Sequence, residues 1–147
     1  MARYASISFP YLLTDHAVRR NKDLLRKAFV LSTPERGRMV VVASSPEAVK
    51  KGICTGMVVA DCKAVLPDLT VIEATPGQNE KILQSLAEWC IRFTPCVSLD
   101  MPDGLVLDTT GCSHLWGGEE PYIKNIIAKL AALGYESKIT IADTISA

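Results

Sequence analysis

The sequence predicts an α/β fold of the α+β kind, with a mainly antiparallel sheet, helices packed on it and a small inserted lobe. Three observations carry this. Short β-type runs come in pairs joined by turn residues, and longer stretches repeat apolar residues at helical spacing. Two short helices stand apart as the lobe. With them set aside, the order is strand, helix, hairpin, helix, hairpin, helix, strand.

Tyr4, Ser6 and Ser8 alternate with Ala5, Ile7 and Phe9, which predicts a first strand ended by Pro10. A helix is expected from about Leu12 to Lys27. Phe29 to Leu31 and Met39 to Ala43 then read as a hairpin across the polar stretch Thr33 to Arg38. Ser44 or Ser45 can cap a short helix with Pro46 and Glu47 in its first turn and Gly52 past its end. A second short helix covers about Met57 to Val65, closed by Pro67, and Thr70 to Ile72 is strand-like. Thr75 to Gln78 has the Thr-x-x-Gln form of a capping box opening a longer helix, with Ile82, Leu83, Leu86, Cys90 and Ile91 on one face. Val97 to Leu99 and Leu105 to Leu107 read as a second hairpin through Pro102-Asp103-Gly104, since Pro fixes φ and Gly accepts positive φ. A helix from Pro121 to Leu133 stops at Gly134, and Ile139 to Ala142 is the last strand.

The 147 residues are 48% hydrophobic, enough for a sizeable core, and sixteen Lys plus Arg balance sixteen Asp plus Glu. No global field draws in nucleic acid or an anionic membrane, so such contact needs a local patch. No apolar run approaches the roughly 20 residues of a membrane span, and the N-terminus lacks signal-peptide form, so the expected location is the cytoplasm. The five cysteines are odd in number and form no CxxC pair, which predicts buried reduced thiols rather than a disulfide framework or a zinc site.

The loop Gly111 to Gly118 lacks both phosphate-binding glycine spacings and reads as structural, with Trp116 packed. His16 and His114 have no partner at ligand spacing. Asp100, Asp103 and Asp108 gather on the second hairpin, where paired carboxylates can hold Mg²⁺. The competing reading gives Asp103 to the turn and makes Asp108 order the loop after it. Arg36 and Arg38, with Lys50 and Lys51, form a candidate basic patch for phosphates.

Several blocks in this order resemble the N-terminal half of a Y-family translesion DNA polymerase, and within that family the ImuB group of homologues. They are Tyr4 to Pro10, Ser45 to Ile53 with Thr55-Gly56-Met57, Val97 to Asp100 leading to Leu107 to Gly111, and the closing Ile139 to Thr144. The resemblance implies a ferredoxin-like palm over residues 1–35 and 69–147, with fingers over 36–68. Thumb and little-finger domains would lie beyond residue 147. Active members carry acidic metal ligands where this chain has Ser8 and Pro10, and sugar-screening aromatics at Leu12 and Leu13. Their Tyr and Arg for the incoming triphosphate fall on Pro46 and Val49. Their hairpin Asp-Glu aligns with Asp100-Met101 or with Asp103-Gly104, and both registers lack the Glu.

The resemblance therefore implies a non-catalytic homologue with no cofactor, where family enzymes use Mg²⁺, since one Asp cannot supply a two-metal site. It implies a scaffold in damage-induced, error-prone translesion synthesis. The implied partners are a sliding clamp, an ImuA-type accessory protein and an error-prone replicative-type polymerase, bound mostly through regions beyond this stretch, with primer-template DNA a further candidate. Two alternatives stand beside it: a weakly active polymerase using Asp100 or Asp103, and a DNA-binding module using Arg36, Arg38, Lys50 and Lys51.

Overall fold

The structure, a computed structural model, describes residues 2–142, apart from the side chains of Ser113 and Leu115. Asp143 and Thr144 of the last resemblance block lie outside the described residues. Among the described residues, seven strands and five α-helices follow in chain order: β1 (Tyr4–Ser8), α1 (Leu12–Arg20), β2 (Phe29–Glu35), β3 (Arg38–Ser44), α2 (Pro46–Lys50), α3 (Val59–Val65), β4 (Thr70–Glu73), α4 (Gln78–Cys90), β5 (Val97–Asp100), β6 (Gly104–Asp108), α5 (Glu119–Leu133) and β7 (Lys138–Ala142). They divide into two compact units, residues 1–12 with 79–147 and residues 13–78. Among the described residues, no helix is long and apolar enough to cross a membrane.

The first unit holds an antiparallel sheet in the order β5-β6-β1-β7. The period-2 pattern read in β1 is realised: Ala5 and Ile7 pair with Leu107 and Leu105, and all four are buried. Tyr122, Ile126 and Leu130 of α5 and Ile82, Leu83, Leu86 and Cys90 of α4 supply the matching apolar side. Tyr122 donates its hydroxyl to the Phe93 carbonyl at 3.0 Å, so this large buried ring leaves no orphaned polar atom. Gly134, at φ 101°, takes the left-handed C-cap of α5.

The second unit holds a separate sheet, β3-β2-β4, in which β2 runs antiparallel to β3 and parallel to β4. A single sheet was the expectation, and here the structure differs. The β2–β3 hairpin joins β4 through the pairs Phe29↔Thr70 to Ser32↔Glu73, so the hairpin and β4 belong with the short helices. The unit boundary therefore falls at 12/13 and 78/79, where the inserted lobe had been expected at 36–68. Val30, Val41, Ala48, Ile53, Cys62 and Leu69 form its core.

Local signals account for most element ends. Ser45 caps α2: its Oγ accepts from Ala48 N at 3.2 Å and from Phe29 N at 3.0 Å, and Pro46 occupies the first turn. The first helix stops at Arg20 rather than Lys27. Asn21 takes an extended φ of −138° and accepts from Asp23 N, capping a 3₁₀ turn over Lys22–Leu24, and Arg26 then has a positive φ. The second short helix starts at Val59 rather than Met57, because Val58 is held in a bridge to Val40. The cysteines also depart from expectation: all five are free, but only Cys62 and Cys90 are buried, and Cys54 and Cys96 are exposed.

Candidate functional site

The end of β1 and its two neighbours define the site that the sequence points to. Cross-strand pairing puts Ser8 opposite Gly104 on one side and Lys138 on the other, and Gly104 opposite Asp100. Directly paired residues share a face, so Asp100, Gly104, Ser8 and Lys138 form one row on the sheet face away from Ala5, Ile7, Leu105 and Leu107. Ser8, Asp100 and Lys138 are exposed. A Cβ built on Gly104 would lie 2.9 Å from the Ile7 carbonyl oxygen and 3.5 Å from Asp100 Oδ2. The Asp100 carboxylate thus leans over the glycine, and position 104 has no room for the Glu of one alignment.

Asp103 is placed differently. It sits in the turn before β6, its carbonyl accepts from Phe9 N at 2.9 Å, and its side chain is exposed. Asp100 is therefore the hairpin acid on the Ser8 row. Asp108 pairs with Tyr4, four residues along β1 and so about 13 Å from Ser8 at strand rise. Its Oδ1 accepts from Thr110 N at 3.1 Å, and the hydrogen bonds from Thr110 hold its carboxyl below the ordinary carboxylate range. This is a loop-ordering role.

The remaining positions fall in both units. Pro10 is exposed beyond β1, and Leu12 is buried as core where an aromatic was the family pattern. Met101, 52% exposed, precedes Pro102 in the hairpin turn. In the second unit Pro46 opens α2, Val49 is exposed, and neither carries a donor for phosphate. Arg36 lies in the β2–β3 turn and Arg38 opens β3, and Lys50 and Lys51 end α2; all four are exposed. Leu13 and His16 line a cleft of about 510 Å³ in that unit. Desolvation, then Arg20 and Arg19, lowers the His16 pKa, and Gln78 Nε2 lies 3.1 Å from His16 Nε2. Trp116 packs on Phe93 and Tyr122 at centroid distances of 5.6 and 6.1 Å, the structural part expected of the Gly111 to Gly118 loop.

Mg²⁺ demands near-octahedral oxygen ligands and is usually held by more than one carboxylate or phosphate. The row offers one carboxylate, one hydroxyl, a glycine and a lysine position, a donor set that does not fit. Among the described residues no three His, Cys, Asp or Glu side chains gather as metal ligands. The one element of the row that sequence reasoning missed is Lys138. Only the β1–β7 register reveals it, since 130 residues of chain separate it from Ser8.

Comparison with known proteins bears on the family and the fold. Two proteins called ImuB, from Caulobacter vibrioides strains NA1000 / CB15N and ATCC 19089 / CIP 103742 / CB 15, are each 41% identical to the chain over 96 residues. That stretch is 65% of this chain and 21% of theirs, so the match spans about a fifth of the relatives' length. The fold is similar to the crystal structure of DinB from Sulfolobus solfataricus, with a TM-score of 0.79 and 17% identity. It is equally similar to an insertion ternary complex of Dbh DNA polymerase, at 0.79 and 16%. Each covers 95% of this chain and 42% of the other. The sequence pattern of the impB/mucB/samB family, which is Y-family in kind, matches residues 7–147, and the chain belongs to that family.

Proposed function

We propose that the chain is the palm and fingers part of a catalytically inactive Y-family homologue that acts as a scaffold in damage-induced translesion DNA synthesis. The first unit takes the palm's place and residues 13–78 the fingers' place. One observation carries the inactivity: at the strand end where nucleotidyl transfer needs converging carboxylates, the row reads Asp100, Gly104, Ser8, Lys138, and position 104 has no room for a side chain. Pro46 and Val49, which have no side-chain donor for a triphosphate, support the same reading. The likeness to ImuB proteins supports a place in DNA-damage tolerance. A sliding clamp, an ImuA-type accessory protein and an error-prone replicative-type polymerase are the partners this reading implies, and cytoplasmic location follows from it.

Primer extension by the full-length protein, with Mg²⁺ or Mn²⁺, tests the reading. No templated incorporation is expected. Incorporation that disappears on Asp100→Asn would overturn it and favour a weakly active polymerase using the hairpin carboxylate.

A further inference from the structure

Zero net charge on the whole chain conceals a division between its units. Residues 13–78 hold ten Lys and Arg against seven Asp and Glu, and the rest of the chain holds six against nine. Half of the second unit's cations fall within nine residues, Arg19, Arg20, Lys22, Arg26 and Lys27, with Asp23 the one acid among them. All five are exposed. The segment is built rather than loose: Asn21 caps its 3₁₀ turn, Leu24 is buried, and Leu25 N and Lys27 N donate to the Lys22 and Leu24 carbonyls at 3.1 Å each.

This basic corner borders the cleft of about 510 Å³, whose lining includes Leu13, Leu24, Leu31 and Ile72, with Arg20 and Asn21 at the corner's side. Such a volume suits a few side chains rather than a polymer backbone. Leu25, 57% exposed, adds an apolar contact beside the cations. Burial, then Arg20 and Arg19, lowers the His16 pKa, and on the α1 wall the cation beside the apolar lining is Arg20. Glu73 lines the cleft too and disfavours an anion inside it, leaving the corner as the place for negative charge.

We infer that α1, the turn after it and the cleft together form a docking surface for an acidic, amphipathic protein segment, with its carboxylates on the corner and an apolar side chain in the cleft. Charge complementarity selects the acidic partner, and the apolar lining selects protein over nucleic acid. This goes beyond the scaffold reading, which names no surface on this chain for its partners.

The test uses the whole chain and three fluorescein-labelled probes of about twelve units each: a helical Glu/Leu peptide, oligoglutamate and single-stranded oligo-dT. The Glu/Leu peptide is expected to bind about tenfold or more tightly than either of the others, and to weaken between about 50 and 300 mM NaCl. Lys22→Glu with Lys27→Glu, both on exposed positions, should weaken it about tenfold or more. Ala17→Leu, reducing the cleft, should weaken the Glu/Leu peptide and leave oligoglutamate unchanged. Equal or tighter binding of oligo-dT, equal binding of oligoglutamate, or indifference to the double charge reversal would each overturn the proposal. Primer extension does not enter these readouts, so the scaffold reading and the docking surface can fail separately.

Discussion

A Cβ at residue 104 would lie 2.9 Å from the Ile7 carbonyl oxygen, closer than β carbons are found to approach backbone, and Gly104 has an ordinary φ. Space, rather than conformational freedom, demands glycine here. Gly104→Ala must push β6 from β1, and it is expected to cost about 1–3 kcal/mol, as overpacking does. Urea unfolding measures this as a lower midpoint at unchanged slope; an unshifted midpoint would show that the strands yield freely. Asp108 makes a second prediction at this scale. Its folded pKa is depressed below its ordinary 3.8 by the Thr110 hydrogen bonds, so its contribution is present above that value and is lost as pH falls through the lower folded value. Asp108→Asn keeps an acceptor for Thr110 N but removes the titration. Melting temperatures followed from pH ~5 to ~2.5 should converge for the two proteins, wild type losing more.

The β2–β3 hairpin is the element whose chemistry departs most from preference. Arg36 and Gly37 occupy its two central turn positions at φ 52° and 79°, the pattern of a type I′ turn, in which Asn-Gly is the preferred pair. Arg36→Asn relieves part of the roughly 1–2 kcal/mol that a left-handed residue costs and should stabilise the protein by about 0.5–1 kcal/mol in urea unfolding. From the sequence, the hairpin's first strand ends at Leu31 and Pro34 belongs to the turn. The ladder continues to Glu35↔Arg38 because β4 pairs only as far as Ser32, so Pro34 lacks an N–H on an open edge where none is needed. Elements set by neighbours in sequence, such as the Ser45-Pro46 start of α2 and the Gly134 stop of α5, were legible in the chain. Sheet membership was not: the β2–β4 pairing joins residues about forty apart, and no local pattern records it. The basic run Arg19 to Lys27 escaped notice for a related reason. It lies inside the stretch predicted as one helix to Lys27, and only the break at Asn21 sets it apart as a corner.

At the scale of the whole molecule, the changes from the active pattern fall in both units. Ser8, Pro10, Met101 and Gly104 belong to the first, Pro46 and Val49 to the second. Each substitution alone has a bland explanation; the proposed function reads the first set as lost metal ligands and the second as lost triphosphate contacts. Repair of one unit should therefore fail. In Ser8→Asp with Met101→Glu, the new carboxylate at position 8 stands directly across from Lys138. Cross-strand opposite charges are worth about 0.2–1 kcal/mol, so the single Ser8→Asp change should raise the melting temperature slightly without Mg²⁺, and Lys138→Ala should abolish the gain. Titration with a fluorescent dNTP is expected to give no Mg²⁺-dependent binding by the double variant, because residues 46 and 49 still offer the phosphates nothing. If that variant bound nucleotide with Mg²⁺, the first unit alone would suffice for the lost chemistry, and Pro46 and Val49 would be bystanders to it.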